Sequence, residues 1–120
     1  GIPITQLIPE DRIEAISART AGGGGEIVKL LERGSAFYAP GSAAAIMAES
    51  VLNDRRRVIP ASCHLTGQYG LDDVYIGVPC IIGANGVEAI FELDLTDSEL
   101  ESLQGSGNFY KGQLKDILGY

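Results

Sequence analysis

The chain reads as a single α+β domain in which largely antiparallel strands are packed with helices. Three observations carry that reading. The first third and the last fifth show helical apolar spacing, a block in the middle is rich in β-branched residues with period-two alternation, and an Asn85-Gly86 turn signal sits between two of its apolar runs. At 120 residues the chain can support one core but not the two lobes of a larger enzyme. Its composition, 45% hydrophobic and 21% charged, is that of a folded globular protein.

Taken in order, residues 2–7 are short, apolar and β-branched, as an edge strand would be. Pro9-Glu10-Asp11 is a helix start, with proline in the first turn and two acids beside the positive helix end. Ile13 and Ile16 give that helix its apolar stripe as far as Thr20. Four consecutive glycines, Gly22 to Gly25, each cost about 1 kcal/mol relative to alanine inside a helix, so a break is expected there. Helix resumes at Glu26, with Ile27, Val28, Leu30 and Leu31 as its apolar face, and stops at Gly34.

An alanine-rich helix is expected over 42–53, small enough in section for close contact with another element. Strands follow over 58–65 and 74–82, joined by a glycine-containing connection over 67–73. Gly77 and Pro79 imply that the second of these is irregular or lies at an edge. The Asn85-Gly86 hairpin leads into a third strand over 87–93. Thr96-Asp97-Ser98-Glu99 is a capping box opening a terminal helix whose Leu100, Leu103, Leu114, Ile117 and Leu118 are expected to face the core. Gly105, Gly107 and Gly112 predict that this helix is bent or frayed in its middle.

A net charge of -7 argues against nucleic acid and anionic membrane as partners, because both reward basic surfaces. The one basic cluster, Arg55-Arg56-Arg57, reads as a solvated helix end, and Glu49 and Glu88 as solvated or interface charges. No segment has the length and apolarity of a membrane span, and no secretory leader opens the chain. Cys63 and Cys80 lie far apart in apolar runs, which predicts buried thiols, a reducing compartment and a cytoplasmic location. No metal-ligand spacing is present. The opening Gly-Ile-Pro-Ile, without an initiator methionine, reads as a boundary inside a longer chain.

Few residues carry a pattern that points to chemistry. The Gly22–Gly25 run matches neither G-x-G-x-x-G nor a Walker pattern, and what precedes it is helical rather than extended. His64 is the single histidine, in a strand, with no carboxylate downstream until Asp72, which favours packing or surface over acid-base work. Ser35 lacks a nucleophile elbow. It can line a pocket at the approach to the alanine-rich helix, or Ser35 or Ser42 can cap that helix.

Three stretches, GGGGEIVKLLERGSAFYAP, RRRVIPASCHLTGQYG and YIGVPCIIGANGVE, closely resemble the C-terminal, substrate-side half of malate dehydrogenases of the lactate-dehydrogenase-like family. The likeness extends from Gly1 to about Leu118. It implies that residues 1–120 are the C-terminal substrate domain, and that a Rossmann domain binding NAD, the proton-transferring His and the carboxylate-clamping arginines lie outside this chain. No catalytic residue is therefore assigned here, and NAD is not expected to bind these residues alone.

What the resemblance does carry over is a pocket wall at Ser35 and Ala36, with Pro40 close to the nicotinamide ring. Ala36 stands where lactate dehydrogenases usually hold a threonine, and the smaller side chain leaves room for the second carboxylate of oxaloacetate. The implied protein is an NAD-dependent malate dehydrogenase of the tricarboxylic acid cycle and a homo-oligomer, its isolated C-terminal domain inactive. The alternatives are a lactate dehydrogenase domain and a stand-alone interaction module. The sequence departs from the family pattern in GSGNFYKG, where family members carry better helix formers.

Overall fold

A computed structural model describes residues 1–119 and divides them into two compact units, one ending at Ala44 and one beginning at Ala45. The first opens on a 3-10 turn, Ile4–Gln6, instead of the expected strand. The amides of Gln6 and Leu7 donate to the carbonyls of Pro3 and Ile4, and these local bonds curl the segment away from a sheet ladder. Helix α1 then runs unbroken over Glu10–Leu31.

The expected break at Gly22 to Gly25 is therefore corrected. The hydrogen-bond ladder needs only backbone, which glycine supplies, and propensity is a weak prior against it. A Cβ at any of the four positions would meet nothing within 4 Å. The helical phase is kept across them: Arg19 on one side pairs with Glu26 on the other at 2.9 Å. Glu32, in a left-handed conformation, closes the last turn by donating its amide to the Val28 carbonyl.

Helix α2, Tyr38–Leu52, begins four residues before the expected Ser42, so Ser42 sits inside it and cannot be its cap. Within the second unit, Ser50 is the buried residue that ties the end of α2 to the sheet. Its Oγ donates to the Ile82 carbonyl at 2.6 Å and accepts from the Arg57 amide. The sheet has three antiparallel strands in the order β1-β2-β3: β1 Arg57–Thr66, β2 Asp72–Gly83 and β3 Gly86–Ile90. The β2–β3 hairpin turns at Ala84-Asn85, and Gly86, at φ +85, takes the left-handed conformation that glycine adopts without strain.

Strand β2 is central, not an edge, and Pro79 fits there because its missing amide is accounted for. Pro79 pairs with Pro60 across β1, a position where neither residue needs to donate. On the other side the Pro79 carbonyl accepts from the Phe91 amide, while the Phe91 carbonyl, which would have taken a donor from residue 79, accepts from the Tyr69 hydroxyl at 2.7 Å. The irregularities of the sheet fall elsewhere, between Leu65 and Thr66 and between Ile81 and Ile82.

The core lies on one face of the sheet. Leu65, Val74, Val78 and Cys80 are buried there, with Leu100 and Leu103 of the terminal helix and Met47 of α2 packed against them. That helix, α3, spans Asp97–Leu118 and opens on the complete Thr96/Glu99 capping box. The hydrogen bonds from Thr96 hold the Glu99 carboxyl below the ordinary carboxylate range.

Helix α3 is continuous through its glycines, against the expected fraying. Leu114, Ile117 and Leu118 of its second half are exposed rather than in the core. Gly107 has a packing reason: a Cβ there would stand 2.8 Å from both methyls of buried Leu71. Gly105 has open space around it. Gly105→Ala should therefore stabilise by about 1 kcal/mol, the helix-propensity difference. Gly107→Ala should destabilise by about 1 kcal/mol, because an overpacking cost of roughly 1–3 kcal/mol exceeds the same gain. Urea denaturation of the two variants checks the opposite signs.

Candidate functional site

Ser35 and Ala36 lie on the connection between α1 and α2, Ser35 exposed and Ala36 half-buried. Pro40 is the third residue of α2 and is exposed. The first bond that closes α2 runs from the Gly41 amide to the Phe37 carbonyl, so Pro40 precedes any position that must donate and costs the helix nothing. Gly34, at φ +89, leads into Ser35, and the Phe37 amide donates to the Ser35 carbonyl at 2.9 Å, closing a three-residue turn around Ala36. The three residues singled out from sequence thus fall within six positions of one another on a sharply turned segment at the mouth of a helix. Their side chains offer a ligand a hydroxyl, a methyl and an apolar ring.

The glycine run that invited a phosphate reading is helix interior, its amides engaged in the ladder of α1. No grouping of three or more His, Cys, Asp or Glu able to hold a metal occurs among the described residues. The two cysteines are free and buried, and burial pushes the Cys63 thiol up to about 11, so it is a packing group and not a nucleophile. Among the described residues no helix is long and apolar enough to cross a membrane.

His64 has a partner that reading along the chain missed. Its Nε2 lies 3.0 Å from Asp73 Oδ1, and its ring packs against Tyr75 with centroids 5.0 Å apart. The antiparallel register sets His64 opposite Tyr75, and Asp73 enters a left-handed conformation at φ 50 beside the register shift at Leu65/Thr66. Pairing i with j around the 67–71 connection would have found it; scanning for the nearest acid did not. Both side chains are exposed, Asp73 more than His64, and the arrangement is a surface pair on the far face of the sheet from the core.

The hydrogen bond from His64 holds the Asp73 carboxyl below the ordinary range. A depressed carboxylate contributes stability above its unfolded pKa and loses it as the pH falls through the folded one, so the contribution of this pair, small for groups this exposed, is lost in acid. Carbon-detected NMR titration should find the Asp73 carboxyl low and His64→Ala should raise it; an unchanged titration would refute the pairing. The Arg55–Arg57 cluster is also partnered rather than merely solvated. Glu49 accepts from Arg55 and Arg57 at 3.0 and 3.2 Å, and Glu88 accepts from Arg56 at 2.8 Å.

Residues 2–119 match the model of the lactate/malate dehydrogenase, alpha/beta C-terminal domain. The chain belongs to that family. The malate dehydrogenase of Thermomicrobium roseum is 59% identical over 108 residues, 90% of this chain and 35% of the relative. The solved malate dehydrogenase from Salinibacter ruber superposes with a TM-score of 0.93 at 48% identity, over 98% of this chain and 38% of that one. The lactate dehydrogenase from Eimeria maxima, solved with NADH and oxamate, gives 0.89 at 47% identity over 96% and 36%. The chain therefore spans little more than a third of the length of the dehydrogenases it matches. As a lactate/malate dehydrogenase C-terminal domain, its three-stranded antiparallel sheet with helices is the expected α+β architecture.

Proposed function

We propose that these residues are the substrate-side domain of an NAD-dependent malate dehydrogenase that interconverts malate and oxaloacetate, and that they do not catalyse this alone. The observation that carries the reading is Ala36, a methyl in the middle of a tight turn at the mouth of α2, flanked by Ser35. Small side chains there leave volume for a dicarboxylate, where a threonine would favour the monocarboxylate of a lactate dehydrogenase. Relatives named malate dehydrogenase, among them those of Roseiflexus sp. and Thermomicrobium roseum, support the same choice, while the neighbour solved with oxamate keeps lactate dehydrogenase as the rival.

The described residues fit only one edge of the cofactor. Pro40 offers an apolar surface suited to a nicotinamide ring, and no glycine-rich loop ahead of a helix is available for its phosphates. Bound beside Pro40, NAD would supply the hydride acceptor for the hydroxyl-bearing carbon of malate, and the hydroxyl proton would go to a base outside these residues. The share of Ser35, Ala36 and Pro40 is to shape the pocket and exclude water from the reacting carbon. Helix α1, which has no buried residue and exposes Ile16, Ile27 and Leu30, supports assembly with like subunits. Buried free thiols support a cytoplasmic setting.

A fluorescence titration tests the division of labour. The full-length protein should bind NADH saturably, whereas residues 1–120 should not; saturable binding by residues 1–120 alone would overturn the reading.

A further inference from the structure

We propose that Gly34 and Phe37 are positioning residues for the substrate wall, with the left-handed backbone of Gly34 and the ring of Phe37 together fixing where Ser35 and Ala36 face. The inference rests on the reading of Ser35 and Ala36 as that wall. One left-handed residue is enough to end a helix, and Glu32, at φ 58, already provides it for α1. A second left-handed residue two positions later, Gly34 at φ +89, is therefore not needed for termination; it bends the chain once more immediately before Ser35.

Space does not demand glycine at this point. A Cβ on Gly34 would lie at an ordinary 3.5 Å from Phe37 Cε1 and meet nothing else. The constraint is the torsion itself, which L side chains rarely adopt. Phe37 secures the result twice. Its amide closes the turn around Ala36 on the Ser35 carbonyl, and its ring stands over Gly34 while packing against Tyr38 with centroids 5.1 Å apart.

The test uses the full-length dehydrogenase. Gly34→Ala should raise the KM for oxaloacetate by about tenfold to a hundredfold, the scale expected when a pocket group moves by roughly 1 Å, with NADH affinity unchanged. Gly34→Asn should recover much of the loss, because asparagine tolerates positive φ better than alanine. Phe37→Ala should raise KM in the same direction, and Phe37→Tyr, which keeps the ring, should restore most of it; this pair stands even where Gly34→Ala does not fold. Ala36→Thr serves as the control for the wall. Should Ala36→Thr alter substrate preference while Gly34→Ala and Phe37→Ala leave KM alone, the positioning role is overturned and the wall survives. A silent Ala36→Thr overturns both. Equal losses in KM, kcat and NADH affinity would mean general loosening, and also overturn the proposal.

Discussion

Tyr69→Phe should lower the stability of the second unit by about 2–6 kcal/mol, because two partly buried backbone groups lose their partner at once and each unpaired group costs about 1–3 kcal/mol. The Tyr69 hydroxyl donates to the Phe91 carbonyl at 2.7 Å and accepts from the Leu93 amide at 2.9 Å. It thereby replaces the amide that Pro79 cannot provide and holds the chain as it leaves β3 for α3. The residue is fixed on its other sides as well: its amide donates to Glu92 and its carbonyl accepts from Gln104. Its own backbone is left-handed at φ 56, a conformation kept only because these bonds over-determine it. Chemical denaturation of the variant reads the loss. A change below about 0.5 kcal/mol, the level of an ordinary surface substitution, would mean that the hydroxyl is not the keystone described.

Ala36→Thr in the full-length enzyme should reduce kcat/KM for oxaloacetate by about 10- to 200-fold, the range that one added group in a filled pocket commands. Pyruvate, lacking the second carboxylate, should lose far less. The effect is steric and should appear in the ratio of the two substrates rather than in NADH binding. Parallel losses for both substrates would indicate damage to the turn closed by the Phe37 amide instead of competition for volume.

Much of the fold was legible because local chemistry and tertiary structure agree there. The Thr96/Glu99 box, the Asn85-Gly86 hairpin and the strands around Cys63 and Cys80 each follow from residues within a few positions. What escaped depended on partners distant in sequence. Pro79 reads as an edge residue until a tyrosine ten positions earlier is seen to supply the missing donor. Gly107 reads as a weak point until Leu71 is placed against it. Gly22 to Gly25 failed as a break for another reason: propensity summed over four residues still did not outweigh a helix in phase on both sides. At the site, Ser35, Ala36 and Pro40 were legible through resemblance alone; composition and spacing single out none of them, and the positive φ of Gly34 is visible only in the backbone.

The most direct test of the central claim is a comparison of NADH oxidation by the full-length protein with oxaloacetate and with pyruvate, at matched concentrations. Oxaloacetate should be preferred by at least about 100-fold in kcat/KM, the discrimination that a size-matched pocket can reach. A preference for pyruvate, or oxidation of neither, would contradict it.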